Sequence, residues 1–461
     1  MDLRGRDVVV LGTGQTGLSL VRWLTRRHAR VRVADTRDDP PNARTLADGF
    51  PKLRIDAGPL SASNFIGADM IAISPGVAKD QPPIAEAVAS GVELVGDIEL
   101  FARSMPRNQR VLAVTGTNGK TTVSALTGEL VGAAGMTAIV AGNIGNAVLD
   151  VHAQCEHEDS WPDVFVLELS SYQLETTRSL KPLAATVLNV SPNHLDRYDG
   201  VADYAAAKGT IFTHAAVQVL NRDDPIVRLM RLPGRTVQTF GHSVPVSGEE
   251  WGLVSRPDGE WLARGGELLA SASSLTLVGR HNVQNALAAL ALTSSIAEPT
   301  APIITALAKF GGLPHRMQRI ADAHGVLFVN DSKATTVAAT DAALQGIDRP
   351  VVLIAGGDGK GQSYRTLKSA VDRTCKAVLL IGRDAPSVAR GIAGTRAIVE
   401  TLGTLDAAVA RAFELAQRGD AVLLSPASAS LDQFTSYVER GDRFTAQVRG
   451  RLQDDARCAS A

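Results

Sequence analysis

The residues best suited to chemistry form a glycine-rich loop between an apolar run, VLAVT, and a helical pattern. The loop comprises Gly116, Thr117, Asn118, Gly119, Lys120, Thr121 and Thr122. Backbone N–H groups in such a loop bind phosphate oxygens, a lysine adds positive charge, and a threonine hydroxyl ligates Mg²⁺. Val114 stands where common P-loops have their first glycine, so we expect a tighter turn here. This loop predicts a site for nucleotide phosphates and Mg²⁺.

Two further reactive side chains follow apolar runs farther along the chain. Glu168 ends FVLE, and His194 comes after ATVLNVS and a short polar link. The carboxyl ends of parallel strands meet at the edge where open α/β sheets bind ligands, so we expect both side chains beside the phosphate loop. They are candidate Mg²⁺ ligands; a capping role for Glu168 and a structural role for His194 are the alternatives.

An earlier glycine-rich turn indicates a second phosphate site. Gly12, Gly14 and Gly17 form G-x-G-x-x-G after DVVVL, and Asp35 ends the next apolar run. That spacing suits a pyrophosphate at a helix N-terminus and a ribose beside the carboxylate. An NAD(P)-dependent oxidoreductase and a turn without a ligand are both alternatives. The block is short and a different phosphate loop follows it, which favours another pyrophosphate ligand, such as a UDP-sugar.

Alternating strands and helices are needed to position these loops. Short β-branched runs followed by helical stretches recur throughout the chain, which is the pattern of parallel sheets covered by helices. Because 461 residues are too many for one core, we predict an α/β fold of three domains with breaks near residues 104 and 312. Residues 243–275 are polar and are expected to form a β-rich excursion.

Composition argues against several classes of partner. Lys and Arg number 47 against 48 Asp and Glu, so the formal charge of −1 gives no footprint for nucleic acid or an anionic membrane. Aromatic residues make up only 4%, too few for a base-stacking platform. Cys155, Cys375 and Cys458 are far apart and are interpreted as reduced thiols, and no segment reaches the length of a membrane span. We expect a monomeric cytoplasmic enzyme with small-molecule substrates.

Motifs along the whole chain resemble those of the Mur ligase family. In chain order they are VTGTNGKTT, GNIG, ELSSYQLE, NHLDRY, GRHNVQNAL, GLPHRMQ, NDSKATT, GGDGKG and SPASASLDQF. NDSKATT, GGDGKG and SLDQF are characteristic of the glutamate-adding members. The resemblance implies a Rossmann-like UDP-substrate-binding domain (1–104), a central P-loop ATPase-type domain (105–311) and a dinucleotide-fold-like glutamate-binding domain (312–461).

The same resemblance implies ligand roles in all three domains. The UDP-linked substrate would face Gln15, Thr16, Asp35, Thr36, Arg37, Gly76, Asn143 and His194. ATP would contact residues 116–122 together with Asn282, Asn285, Arg316 and Asp331. Glutamate would be held by Thr335, Lys360, Ser430 and Tyr437. Mg²⁺ would be ligated by Thr121, Glu168, His194 and Lys208, the last as a carbamate. The catalytic set would be Lys120, Glu168, His194 and Lys208.

The resemblance also implies an ATP-dependent acid–amino-acid ligase of peptidoglycan synthesis, on which cell shape and division depend. D-glutamate would be joined to UDP-N-acetylmuramoyl-L-alanine through an acyl phosphate, with ADP and phosphate released. An L-glutamate-adding or folylpolyglutamate-type ligase of the family is one alternative, and a nucleotide-gated binding module is another. Two departures bear on the site, because Asn193 stands where the family has Asp and Tyr437 where it often has Phe.

Overall fold

A computed structural model describes residues 1–194, 197–277 and 279–460, with side chains as far as residue 454. The chain divides into two compact units. The first contains Met1–Val254, Ala263–Leu269 and Leu287–Ile304. The second contains Ser255–Leu262, Ala270–Ala286 and Thr305–Ala461. No helix among the described residues has the length and apolar content needed to cross a bilayer.

The chain begins with a parallel sheet. Its strands are β1 (Asp7–Leu11), β2 (Arg30–Asp35), β3 (Arg54–Ala57), β4 (Met70–Ile73) and β5 (Glu93–Gly96), in the order β3-β2-β1-β4-β5. Its helices are α1 (Gln15–Arg26), α2 (Ala43–Gly49), a 3-10 turn (Ala62–Phe65), α3 (Pro82–Ala89) and α4 (Asp97–Ser104). Because β1 and β4 are neighbours, the turns that follow them meet at one edge of the sheet. Gly12 lies in one of these turns and Gly76 in the other.

A nine-stranded sheet carries the predicted phosphate loop. Its strands are β6 (Arg110–Thr115), β7 (Ala138–Gly142), β8 (Val164–Glu168), β9 (Ala184–Val187), β10 (Val217–Asn221), β11 (Thr236–Phe240), β12 (Glu250–Arg256), β13 (Gly259–Arg264) and β14 (Glu267–Ser271). The order is β14-β13-β12-β11-β10-β9-β6-β8-β7. Strand β6 therefore lies between β8 and β9, with Val114 opposite Glu168 and Thr115 opposite Val187. As expected, β12–β14 occupy much of the polar segment 243–275.

Helices cover this nine-stranded sheet, and two of them contain Lys120 and Lys208. They are α5 (Lys120–Ala133), α6 (Val148–Glu158), α7 (Ser171–Leu174), α8 (Val201–Gly209), α9 (Pro225–Arg228), α10 (Arg280–Thr293) and α11 (Ala301–Lys309), with 3-10 turns at Thr210–Phe212 and Ala272–Ser274. The first sheet and the central sheet share one apolar core within the first unit. In it Phe101 packs edge-on against Phe165 at 5.1 Å, and His152 packs against Trp161 at 5.2 Å. This shared core holds the first glycine-rich turn beside residues 142–147.

The second unit contains a six-stranded sheet. Its strands are β15 (Gln318–Ala323), β16 (Val326–Asn330), β17 (Val351–Gly356), β18 (Cys375–Ile381), β19 (Ile398–Gly403) and β20 (Ala421–Leu424), in the order β15-β16-β20-β17-β18-β19. Its helices are α12 (Val337–Gln345), α13 (Leu367–Thr374), α14 (Ala385–Gly391), α15 (Leu405–Leu415) and α16 (Tyr437–Ser460). Strands β16, β17 and β20 are buried along their whole length because helices cover both faces.

One strand of this sheet departs from the expected parallel pattern. Strand β15 runs antiparallel to β16, and a tight turn joins them. His324 and Gly325 in that turn have φ angles of +54° and +77°, which suit a hairpin. Only part of β15 is covered, as is typical of an edge strand.

Candidate active site

The phosphate loop is held in a conformation that requires glycine at two positions. Gly116 and Gly119 have φ angles of +156° and +82°. A Cβ on Gly116 would lie 3.0 Å from the Cβ of Leu188. Lys120 opens α5, and its Nζ donates to the carbonyl oxygens of Gly116 and Thr117 at 2.9 and 3.0 Å. The lysine charge therefore lies over the loop, next to the N-terminus of α5, where N–H groups are suited to phosphate.

The carboxylate of Glu168 lies at the end of the neighbouring strand and is only half satisfied. The residue is 2% exposed, and its Oε1 accepts a bond from Asn143 Nδ2 at 2.9 Å. Its Oε2 is buried and receives no hydrogen bond from the described residues. A buried carboxylate oxygen without a partner is costly, and a cation would satisfy it. Asn143 itself follows Gly142, where a Cβ would lie 2.2 Å from the Glu168 carbonyl oxygen.

Lys208 is buried, although its Ala-rich helix gives no sign of burial. The residue is 1% exposed, and its Nζ donates to the carbonyl oxygen of Gly116 at 2.9 Å. Burial, and next to it the positive charge of Lys120, lower the pKa of Lys208 to about 7 against the opposing effect of Glu168. A large part of this amine is consequently neutral at ordinary pH.

His194 lies at the surface of the same region. Its side chain is exposed, its φ is +54°, and its backbone N–H donates to Asn193 Oδ1 at 3.0 Å. The His194 ring lies 4.9 Å from the Tyr172 ring and 6.1 Å from that of Tyr204. Tyr204 Oη in turn lies 3.5 Å from Thr117 Oγ1 in the phosphate loop. Leu195 and Asp196 of the NHLDRY motif lie outside the described residues.

The side chains predicted to ligate Mg²⁺ do not form a ready-made protein cage. Among residues 1–194, 197–277 and 279–460, no group of three or more His, Cys, Asp and Glu side chains is arranged to hold a metal ion. Mg²⁺ commonly takes one or two carboxylates and completes its shell with phosphate oxygens and water. The unsatisfied oxygen of Glu168 and the buried hydroxyl-bearing Thr121 at the start of α5 fit that kind of site.

A cavity of about 560 Å³ opens beside the first glycine-rich turn. Of the residues predicted to face the UDP-linked substrate, its walls contain Gln15, Thr16, Asp35, Thr36, Arg37, Gly76 and Asn143. His194 does not line this cavity. Asn143 both lines the cavity and binds Glu168, so it joins the cavity to the candidate phosphoryl-transfer site.

Asp35 and Arg37 form the charged wall of this cavity. The Asp35 carboxylate accepts bonds from the N–H and hydroxyl of Thr13, both at 2.8 Å, and from Arg37 at 2.8 and 2.6 Å. Burial alone would raise the pKa of Asp35, but the bonds from Arg37 and Thr13 prevail and hold it well below its usual range. The carboxylate is thus bound within the protein, and Arg37, 53% exposed, presents charge to the cavity.

Of the four predicted ATP ligands of the second unit, three are buried (Asn282, Asn285 and Asp331) and Arg316 is partly exposed. Asp331 follows β16, and its two oxygens accept bonds from Ser425 Oγ at 2.9 Å and from the Met317 N–H at 3.1 Å. Burial raises the pKa of Asp331 to about 7 against the opposing effect of these bonds and of Arg316. Asn282 and Asn285 are joined to each other by a 3.0 Å bond from the second to the first.

The predicted glutamate ligands come from the ends of three adjacent strands. Thr335 follows β16, Lys360 follows β17, and Ser430 follows β20. Two reciprocal backbone bonds of 2.9 Å between Asp358 and Ala429 join the second and third loops. Lys360 is exposed with a φ of +50°, whereas Ser430 is 3% exposed.

Tyr437 completes that set at the start of α16. The Nζ of Lys333, from the loop after β16, lies 4.1 Å from the centre of the Tyr437 ring. This is the distance of a cation–π contact, so the aromatic ring at this position is engaged by the NDSKATT loop.

Arg440 is a structural residue of this region that the motifs did not reveal. It is fully buried, and its guanidinium donates to Ser332 Oγ at 3.0 Å, to the Ser332 carbonyl at 2.8 Å and to the Ser428 carbonyl at 3.1 Å. Burial lowers the pKa of Arg440 to about 10. It therefore links the loop after β16 to the loop after β20. An arginine within a helix is ordinarily solvated, so only the three-dimensional fold identifies it.

Comparison with known proteins gives matches in all three regions. Residues 114–293 match the Mur ligase middle domain, residues 6–96 the Mur ligase MurD-like N-terminal domain, and residues 315–428 the Mur ligase glutamate ligase domain. Proteins from Nitrosomonas europaea and Thiobacillus denitrificans, both named UDP-N-acetylmuramoylalanine–D-glutamate ligase, are 48% identical over 457 and 464 residues. In both cases 97% of this chain and 97% of the relative are covered.

The solved structures show the same fold at lower identity. UDP-N-acetylmuramate-alanine ligase MurC from Thermotoga maritima superimposes with a TM-score of 0.56 at 18% identity, covering 96% of this chain and 99% of that chain. The predicted three-domain α/β fold class is confirmed, whereas the boundaries at residues 104 and 312 stay predictions. This chain belongs to the Mur ligase family.

Proposed function

We propose that this enzyme joins D-glutamate to UDP-N-acetylmuramoyl-L-alanine, with conversion of ATP to ADP and phosphate. The names of the relatives that are 48% identical over almost the whole chain support this substrate pair. Within the molecule, the position of Asn143 carries the proposal. It lines the cavity beside the first glycine-rich turn and binds Glu168, next to the phosphate loop. A UDP-linked carboxylate and a nucleotide phosphate are thereby brought to neighbouring sites.

Two substitution steps account for the reaction. The carboxylate oxygen of the UDP-linked substrate attacks the γ-phosphorus of ATP, the bond to the β–γ bridging oxygen breaks, and ADP leaves. The amine of glutamate then attacks the resulting acyl phosphate, loses a proton, and expels phosphate as the amide bond forms. The first step mainly requires positioning and charge neutralisation. Lys120 and the N–H groups at the N-terminus of α5 would supply both to the phosphate oxygens.

The chain's own residues also fit the requirements for Mg²⁺. Thr121 and Glu168 would hold one ion, and Glu168, His194 and a carbamylated Lys208 a second. Bound Mg²⁺ would neutralise charge on the phosphate and carboxylate oxygens. The neutral amine of Lys208 is able to attack CO₂, and loss of a proton then leaves an anionic carbamate at a position where the unmodified side chain is a cation.

The second unit supplies candidate ligands for both carboxylates of glutamate. Lys360 and the surrounding loop offer a positive charge and N–H groups for one carboxylate. Ser430, with Thr335 and Tyr437, offers hydroxyl groups for the other. The preference for the D enantiomer follows from the names of the relatives, because these groups alone would accept either hand.

We also place the enzyme in the cytoplasm. Its proposed nucleotide co-substrates are cytoplasmic metabolites, and among the described residues Cys155 and Cys375 are free thiols. A monomeric state stays a prediction.

Phosphate release tests the proposed function. Purified enzyme with Mg²⁺ and ATP should release phosphate only when UDP-N-acetylmuramoyl-L-alanine and D-glutamate are both added. Wells that contain L-glutamate, or that lack either substrate, provide the controls. Release with L-glutamate alone would favour the alternative ligase, and the absence of release with every combination would refute the proposal. Calorimetric binding of a nicotinamide dinucleotide would revive the oxidoreductase alternative.

A further inference from the structure

We propose that Arg197 is a positioning residue that couples occupancy of the UDP-substrate cavity to the phosphoryl-transfer site. Neither the motif roles nor the comparisons assign it this task. The inference rests on the proposed function, since it concerns how the two nucleotide-bearing substrates influence each other.

Arg197 connects the two parts of the first unit. One terminal nitrogen donates to Glu175 Oε2 at 2.8 Å, and the other donates to the Pro75 carbonyl oxygen at 3.3 Å. Its guanidinium carbon lies 4.4 Å from the centre of the Tyr172 ring. The side chains of Arg197 and Glu175 are 13% and 7% exposed, so this is not a solvated surface pair.

The Pro75 end of this connection reaches the substrate cavity. Pro75 lies in the turn after β4, and both it and the adjacent Gly76 line the cavity walls. A UDP-linked ligand in contact with Gly76 restricts this turn and so favours the orientation of the Pro75 carbonyl that Arg197 binds. Differential contact of this kind is what permits one site to bias another.

The other end reaches the catalytic candidates through aromatic contacts. Tyr172, which stacks under Arg197, lies 4.9 Å from His194. Tyr198 Oη donates to the second oxygen of Glu175 at 2.6 Å, and its ring lies 5.3 Å from that of Tyr204.

Tyr204 completes the connection to the phosphate loop. Its hydroxyl lies 3.5 Å from Thr117 Oγ1, and its ring lies 4.5 Å from the Nζ of Lys208. Within the first unit, a continuous set of contacts thus extends from the cavity wall to Lys208 and to the loop over which Lys120 lies.

Arginine is the residue type that this arrangement requires. A guanidinium can donate in two directions and stack on a ring at the same time, because it is planar and its donors are fixed in a fork. A lysine keeps the charge and can still pair with Glu175, but it cannot keep the Pro75 bond and the stacking together. Arg197→Lys therefore removes the connection while leaving the buried carboxylate with a cation.

Calorimetry of the full-length enzyme measures the coupling directly. The Kd of a non-hydrolysable ATP analogue is determined with and without saturating UDP-N-acetylmuramoyl-L-alanine, in the presence of Mg²⁺. For the wild type we expect the UDP-linked substrate to tighten nucleotide binding by at least about fivefold. For Arg197→Lys we expect less than about a twofold change, while each ligand alone binds within about twofold of the wild type.

Steady-state kinetics give a second test, because a merely structural role would not lower kcat while leaving the KM for ATP unchanged. We expect Arg197→Lys to lower kcat about tenfold with the KM for ATP unchanged, because positioning rather than ground-state binding is lost. Arg178→Lys is the matched control, since Arg178 is an exposed arginine on the same segment as Glu175. It should keep the wild-type coupling and kcat.

Two other results of the coupling and kcat measurements decide against the proposal. Wild-type coupling and kcat in Arg197→Lys, or the absence of coupling in the wild type, overturns it. If Arg197→Lys does not fold, Glu175→Gln gives the same measurement, because the amide keeps the shape but weakens the bond to Arg197; unchanged coupling there overturns the proposal. Ligand binding without phosphate release in the wild type would refute the proposed function while leaving the coupling measurable.

Discussion

Two strand–turn–helix motifs in the first unit have the same backbone arrangement but are surrounded by different side chains. In one, β1 leads through Gly12 into α1, and a Cβ on Gly17 would lie only 1.8 Å from the Gly12 carbonyl oxygen. In the other, β6 leads through Gly116 and Gly119 into α5. Both turns present helix N-terminal N–H groups to an anion. The glycines set the backbone path in each case and do not distinguish the two ligands.

The side chains that lie beside the two turns make the difference. Beside the first turn, Asp35 stays ionised because Arg37 and Thr13 bind it and keep its pKa low. Beside the second, Lys208 is buried near another cation and its pKa falls to about 7. One site therefore offers a fixed ion pair for recognition, and the other a reactive amine and an unsatisfied carboxylate. The neighbouring side chains therefore give the two glycine-rich turns different chemical surroundings.

Removing the charge of the second turn should have the largest effect. We expect Lys120→Ala to lower kcat at least about 100-fold, because a preorganised positive charge on the transferring phosphoryl group is lost. Phosphate release with all substrates present measures it. Lys52→Ala, at an exposed position, is the control and should match the wild type. Near-normal turnover of Lys120→Ala would contradict the role of the second turn in phosphoryl transfer.

Lys208 should rank next. We expect Lys208→Ala to lower kcat by about 10- to 100-fold, the range seen when groups that support a metal site are removed. A short carboxylic acid in the buffer should restore part of the activity, because it can occupy the space of the proposed carbamate. Rescue should be absent in Lys120→Ala. An unaffected Lys208→Ala enzyme would contradict the carbamate.

The titration of Lys208 gives a pH dependence with a definite sign. Because its pKa is lowered to about 7, the neutral fraction rises from about one-tenth at pH 6 to about nine-tenths at pH 8. At a fixed concentration of dissolved ¹³CO₂, the carbamate signal in ¹³C NMR should increase over this interval. Lys208→Ala should lack that signal, and a pH-independent signal would contradict the lowered pKa.

The first turn should respond most mildly. We expect Arg37→Ala to raise the KM for UDP-N-acetylmuramoyl-L-alanine about three- to tenfold and to leave kcat and the KM for ATP nearly unchanged, since an exposed charge contributes to binding only modestly. Arg54→Ala, an exposed arginine of the same sheet, is the control. A loss of kcat in Arg37→Ala as large as that in Lys208→Ala would contradict the assignment of binding to the first turn and of catalysis to the second.

The sequence predicted the family and the fold class, and the comparisons confirm both. Local patterns suffice for these, because glycine spacing and apolar runs specify turns and buried strands over a few residues. Strand β15 escaped the prediction since an antiparallel edge strand resembles a loop in composition. The individual ligand assignments stay predictions, although seven of the residues predicted to face the UDP-linked substrate lie around one cavity.

By itself, the sequence determined that two glycine-rich strand–helix turns, a strand-end carboxylate and a set of motifs typical of the Mur ligase family occur in one chain. Only the tertiary structure decided that Lys208 and Arg440 are buried, that one oxygen of Glu168 has no partner among the described residues, and that Thr13 binds Asp35. These features depend on strand neighbours, such as β8 and β9 on either side of β6, that are tens of residues apart in the chain. Burial and pKa are set by those distant neighbours, and no local pattern specifies them.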